Sequence, residues 1–209
     1  MTNSFKIPAR DGIDEFIEKR SRFIGYVKHT DTEEAALAFI AEQNEKHKGA
    51  AHNVYAYSIR ENNIMRYSDN GEPQGTAGLP VLDVFRHAEV FDFCCVVTRY
   101  FGGILLGTGG LCRAYSHAAK IALDAAGIAV MRLWSHASVT VSYAMFETVQ
   151  KALATDGAKI ENCDYAADVT ITYFLPAENY DKVASRIFDI TSGNFSPTKL
   201  SDVFMALEE

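Results

Sequence analysis

Hydrophobic and polar positions along the chain change period several times, and each change marks an element. Lys19 to Thr30 carries Phe23, Ile24, Tyr26 and Val27 and reads as a strand. A helix follows. Thr30 with Glu33 fits a capping box, with Asp31 and Thr32 as further cap candidates, Leu37, Ile40 and Ala41 as the apolar stripe, and Gly49 as the end. His52 to Arg60 and Ile64 to Ser68 read as a hairpin around Glu61-Asn62-Asn63. Asp69 to Gly78 is rich in turn residues, and Leu79 to Ala88 predicts a helix with Pro80 in its first turn. Phe91 to Thr98 is an unbroken apolar run, which predicts a central strand buried on both faces. After a glycine-rich loop, Leu111, Ala114, Tyr115, Ala118, Ala122 and Ala125 lie on one face of a long helix that Gly127 closes.

The rhythm then changes. Ala137, Val139, Val141 and Tyr143 alternate with polar residues, as expected of a half-buried strand. Phe146, Val149 and Leu153 recur at helical spacing. A weaker strand near Lys159 to Cys163 precedes an alternating one, Ala167 to Tyr173. Tyr180, Val183, Ala184 and Ile187 mark a second helix, and Leu200 to Leu207 a last strand. The order βαββαβ is ferredoxin-like. The fold class expected is therefore α/β followed by α+β in two domains, 1–130 and 131–209. Their junction is expected near Gly127 to Trp134, as a stretch open to limited proteolysis.

Composition narrows the function classes. The 209 residues are 48 % hydrophobic and 22 % charged, a globular profile. No apolar run reaches the roughly 20 residues that span a bilayer, so no membrane association is expected. The first residues lack a signal-peptide core, and Cys94, Cys95, Cys112 and Cys163 form no C-x-x-C pair. A cytoplasmic protein with reduced thiols, and with no metal or cofactor, is the expectation. The net charge is −7. Residues to Val130 hold 14 basic and 16 acidic side chains, and the rest 6 and 11, so the halves carry −2 and −5. That balance opposes a general polyanion binder and leaves room for a local basic patch in the first half.

Two loops hold the candidate chemistry. In RYFGGILLGTGGLCR, glycines at 102, 103, 107, 109 and 110 link a strand to a helix, with Arg99 and Arg113 at its two ends. Backbone N–H groups and a helix N-terminus suit an anion or a nucleic-acid backbone. Arg99, Gly102, Gly103, Gly107, Gly109, Gly110 and Arg113 are the candidate residues, Tyr100 could stack on a base, and the two arginines are expected to converge. The spacing fails as a P-loop, because Thr108 and Gly109 stand where lysine and Ser or Thr belong. Tight turning and close helix–sheet packing explain the glycines equally well. The loop SDNGEPQGTAG adds Asp69, Glu72 and Thr76, with His52 beside it. Turn chemistry is the favoured role for Asp69 and Asn70, and a structural role for His52. No catalytic residue is singled out. Cys94 and Cys95 read as core.

AHNVYAY at Ala51 to Tyr57, SDNGEPQGTAGLPVL at Ser68 to Leu82 and VVTRYFGGILLGTGGLCRAY at Val96 to Tyr115 resemble the signature of the YigZ/IMPACT family in its bacterial two-domain form. The resemblance implies an IMPACT domain similar to domain IV of elongation factor G, then a ferredoxin-like domain similar to domain V. Eukaryotic relatives regulate translation by binding the ribosome-associated activator of the kinase that phosphorylates initiation factor two. No reaction comes with the family. Two departures stand out: Asn70 replaces a common second acid, and Leu105 a common lysine. The implied function is a non-catalytic, translation-linked regulator that binds the ribosome, RNA or a regulatory protein. Convergence of His52, Asp69, Glu72 and Arg99 in one pocket would instead favour a small-molecule enzyme, a phosphotransferase or hydrolase. A protein-interaction module without nucleic-acid contact is the third reading.

Overall fold

A computed structural model describes residues 4–206. Among the described residues the chain forms two compact units, Phe5–Val130 and residues 131–206 together with Ser4. In the first unit, strands β2 (Gly12–Glu18), β3 (Ser21–His29), β4 (His52–Ile59), β5 (Ile64–Ser68) and β6 (Phe93–Tyr100) form an antiparallel sheet of order β2-β3-β6-β4-β5. Helix α1 (Glu33–Lys46) packs on one face of this sheet. Helices α2 (Gly78–Ala88) and α3 (Thr108–Ala126) pack on the other. Strand β6 is therefore central and buried on both sides, as its apolar run implies. Phe93, Cys95 and Val97 face α2 and α3, while Cys94 and Val96 face α1.

Local chemistry moves several boundaries. Thr32, not Thr30, caps α1, accepting from the Ala35 amide at 3.2 Å. With Thr32 as the cap, Glu33 is the first helical residue and not the third, so it closes no capping box; it accepts the Tyr57 hydroxyl at 2.7 Å instead. The buried stripe of α1 is Ala36, Phe39, Ile40 and Gln43, and Leu37 and Ala41 face outward. Strand β1 (Ser4–Pro8) and strand β2 have no counterpart in the sequence reading. Phe16 alone stands out in β2, whose Ile13 and Ile17 are exposed, so no alternation announces it. Gly25 of β3 lets α3 press onto the sheet, since a Cβ there would lie 2.4 Å from the Ala118 carbonyl oxygen.

In the second unit, β7 (Ile128–Val141), β8 (Lys159–Tyr165), β9 (Val169–Pro176) and β10 (Thr198–Ala206) form the antiparallel order β10-β7-β9-β8, the split βαββαβ arrangement. Helices α4 (Tyr143–Thr155) and α5 (Tyr180–Ile190) cover one face through Val149, Leu153, Val183 and Ile187. Tyr143 opens α4 and is exposed; it does not extend the strand. The expected end of the last strand, Leu207, lies outside the described residues. Gly127 to Trp134 is not an open linker. Met131 to Trp134 are paired with Val203 to Ala206 in β10, and Trp134 is buried, so the backbone that a protease needs is already hydrogen-bonded.

Candidate functional site

Strand register builds the site. His52 of β4 and Phe23 of β3 both lie opposite Arg99 of β6, so the three form one row across the sheet end. Period-2 alternation aims Arg99 the same way as Val97 and Cys95, beneath α3. Tyr115 of α3 faces it from above and is fully buried. Between them the loop after β5 inserts Glu72. Its Oε1 accepts from Arg99 Nη1 at 2.5 Å and from the Tyr115 hydroxyl at 2.8 Å. The Arg99 and Glu72 side chains are 5 % and 4 % exposed, so this is a buried, charge-assisted clasp. Burial and the adjoining Glu72 carboxylate push the Tyr115 hydroxyl pKa far up, so it stays a donor. The second nitrogen of the fork, Nη2, reaches the Ser21 hydroxyl at 3.4 Å, and Phe23 and Phe101 each lie 5.4 Å from the guanidinium.

The loop is held by its own turn chemistry. One Asp69 oxygen accepts from the Ala77 and Gly78 amides at 3.0 and 2.8 Å, and the other from Gly75 at 2.8 Å. Asp69 thereby supplies the carboxylate that the N-terminus of α2 lacks at its own N-cap residue, Ala77. Asn70 adopts φ +45° and accepts from the Asn53 amide at 2.8 Å, which ties the loop to β4. Thr76 donates to the Pro73 carbonyl at 2.7 Å. His52 Nδ1 donates to the Asn70 carbonyl at 2.8 Å, because a carbonyl only accepts, and its Nε2 lies 3.8 Å from Glu72 Oε1.

The candidates thus divide. His52, Glu72 and Arg99 line one cleft of about 430 Å³, with Ala51, Pro73, Phe101, Leu105, Leu106, Gly107, Thr108 and Leu111. Asp69 and Thr76 are used up in the turn. Arg99 and Arg113 are not brought together. Arg113 is exposed and lines a different cleft with Lys19 and His117, while Arg99 is spent on Glu72. A cation already neutralised in the interior is no free anion receptor, so the shared arginine site is withdrawn. Tyr100 turns to the α1 face, where its hydroxyl bonds His47 Nδ1 at 2.9 Å instead of offering a ring to a base. Among the glycines, Gly102 is a packing requirement: a Cβ there would lie 2.0 Å from the Arg20 carbonyl carbon. Gly107 starts α3 with φ +75°. Gly103 also has positive φ, and Gly109 and Gly110 sit in the first turn of α3. Tyr115 and Ser21 are partners that sequence reasoning missed. Tyr115 reads as an apolar face residue, and nothing local marks its hydroxyl as bonded. Among the described residues, no group of three or more His, Cys, Asp or Glu is placed to hold a metal ion. No helix there is long and apolar enough to cross a membrane.

Comparison with known proteins agrees with this architecture. Residues 19–123 match the Impact N-terminal domain, and residues 139–194 match a domain of unknown function, DUF1949. The chain is 32 % identical to IMPACT family member YvyE of Bacillus subtilis (strain 168), over 92 % of this chain and 89 % of that one. It is 34 % identical to IMPACT family member YigZ of Escherichia coli (strain K12), over 84 % and 88 %. A crystal structure of a hypothetical protein, 32 % identical, superposes with a TM-score of 0.61 over 96 % of this chain and 99 % of that one. With both domains matched in order and the similarity running through nearly the whole length, the chain belongs to the IMPACT family.

Proposed function

We propose that this protein is a cytoplasmic, translation-linked regulator that acts by docking on a protein partner through its glycine loop. The observation that carries this reading is the loop surface. Phe101 is 49 %, Ile104 40 % and Leu105 81 % exposed within five residues of each other. Apolar side chains clustered in this way mark interaction surfaces. The arginine behind them is neutralised, and Leu105 stands where a lysine would have added charge. The net charge of −7 further opposes a phosphate contact. The link to translation comes from the family resemblance, and the likeness to domains IV and V of elongation factor G belongs to the same proposal, as does independent folding of 1–130 and 131–209.

A salt titration tests the partner class. The chain is immobilised and offered purified ribosomes and, separately, the ribosome-free protein fraction of its source cells. Capture of protein should persist at high salt and disappear in Leu105→Asp. Capture that falls steeply with salt, by about one log unit of affinity per log unit of salt for each phosphate contacted, would instead establish a nucleic-acid contact. The meeting of His52, Glu72 and Arg99 in one cleft favours small-molecule chemistry as a second reading. Asp69 takes no part in it, and both Glu72 and His52 Nδ1 already have partners.

A further inference from the structure

Two polar side chains of the cleft beside the clasp are both acceptors. The walls are largely apolar, from Pro73, Phe101, Leu105, Leu106 and Leu111, and the volume of about 430 Å³ suits a small molecule. Glu72 and His52 line the same cleft. The Glu72 side chain is 4 % exposed, and its Oε1 is filled by Arg99 and the Tyr115 hydroxyl. Its Oε2 receives no hydrogen bond among the described residues, although a carboxylate oxygen in so buried a side chain ordinarily has a donor. His52 donates from Nδ1 to the Asn70 carbonyl, so in the neutral ring Nε2 is an acceptor. It lies 3.8 Å from Glu72 Oε1, beyond hydrogen-bond distance, and neither group can satisfy the other. Arg99 supplies nothing to an occupant, because it is buried and its fork is committed to Glu72 and Ser21.

We infer that this cleft binds a small neutral molecule with an apolar body and a primary amide head group. The body packs on the leucines and Phe101. The amide nitrogen carries two hydrogens, which match the two acceptors, His52 Nε2 and Glu72 Oε2. A hydroxyl has one hydrogen and satisfies one of them. A carboxylate would set its lone pairs against both and its charge against Glu72. An ammonium gains little, because Arg99 already balances the Glu72 charge at 2.5 Å, and Gly107 and Thr108 bring the positive end of α3 to the cleft. Such a head group could belong to a free amide or to a glutamine side chain. This inference goes beyond the docking proposal and does not rest on it, although Phe101 and Leu105 serve both.

The probes are hexanamide, heptan-2-one, hexan-1-ol, hexanoate, hexylammonium and a blocked Leu-Gln-Leu peptide that has no terminal carboxamide. Heptan-2-one is the sharpest control, because it keeps the carbonyl and replaces the amide nitrogen by a methyl of similar size. Binding is followed by thermal shift and through the His52 Nε2 resonance of nitrogen-15-labelled protein, which moves when that nitrogen accepts a hydrogen bond. Hexanamide should raise Tm and move the resonance. Heptan-2-one should bind at least about tenfold more weakly, the loss expected when two hydrogen bonds to poorly hydrated acceptors are removed. Hexan-1-ol should fall between them, and hexanoate and hexylammonium below hexanamide. His52→Asn keeps an N–H near the place of Nδ1 and lacks Nε2; it should weaken hexanamide about three- to tenfold and leave heptan-2-one unchanged. Tighter binding of the peptide than of hexanamide would assign the head group to a polypeptide side chain, and the reverse order to a free amide. Equal affinities of hexanamide and heptan-2-one, absence of hexanamide binding, binding that leaves Nε2 unmoved, or tighter binding of hexanoate or hexylammonium would each overturn the inference. These outcomes are read on the wild-type protein, so they stand even if His52→Asn does not fold. None of them depends on Leu105→Asp, so the two proposals fail separately.

Discussion

Truncating Glu72 tests the clasp most directly. In Glu72→Ala the Arg99 guanidinium stays beneath α3 with its carboxylate gone, and the Tyr115 hydroxyl loses its acceptor. Removing one member of a buried ion pair costs about 3–5 kcal/mol, because the remaining charge is neither hydrated nor paired. For a unit of this size that corresponds to a fall in Tm of about 10–20 °C. Glu72→Ala with Arg99→Met removes both charges and should recover much of the loss, since a buried pair contributes little net stability against apolar replacements. The double-mutant cycle should therefore show a coupling of about 2 kcal/mol or more. The single tryptophan, Trp134, lies outside the first unit, so its fluorescence is the wrong probe. Hydrogen exchange at the β4 and β6 amides reports on the unit that holds the clasp. A loss below about 1 kcal/mol in Glu72→Ala, or additive single effects, would show that the pair is hydrated in solution and refute the buried clasp.

Three further outcomes follow from the same packing. His47 is buried between the Tyr26 and Tyr100 hydroxyls at 2.7 and 2.9 Å, and burial, with Lys46 and Arg22 adding to it, holds its pKa below the ordinary 6.5. The unfolded chain takes up the proton first, so this contribution is present above pH 6.5 and is lost as the pH falls below it; Tm against pH should drop more steeply there in wild type than in His47→Gln, and parallel curves would refute it. Gly25→Ala should destabilise by about 1–3 kcal/mol or more in urea unfolding, because the new Cβ meets the Ala118 carbonyl and the Ala122 methyl; a neutral effect would mean that α3 can move away. Burial pushes the Cys94 thiol up to about 12 and the Cys95 thiol well above its usual range, so a thiol reagent should label the partly exposed Cys112 and Cys163 first in the native protein; early labelling of Cys94 would contradict the two-sided burial of β6.

Periodicity alone located most of the elements. The run Phe93 to Val97 is apolar at every position because helices cover both faces, and the alternation Ala137, Val139, Val141 holds because α4 and α5 cover only one. Asp69 in a turn and the glycines around it were legible for the same reason, since local backbone needs dictate those residue types. Tertiary structure decided what the polar residues do. That Arg99 meets Glu72 depends on a register spanning β3, β6 and β4, on the loop after β5, and on Tyr115 from a helix that begins eight residues beyond β6. No local pattern encodes a contact between positions 27 residues apart. Arg99 and Arg113 look like one pair along the chain. They part company because Arg99 sits on the inward face of a strand, while Arg113 lies on the outward face of a helix. Burial in a low-dielectric interior then forces the inward charge to find its counter-ion within the protein, and the outward one stays in water.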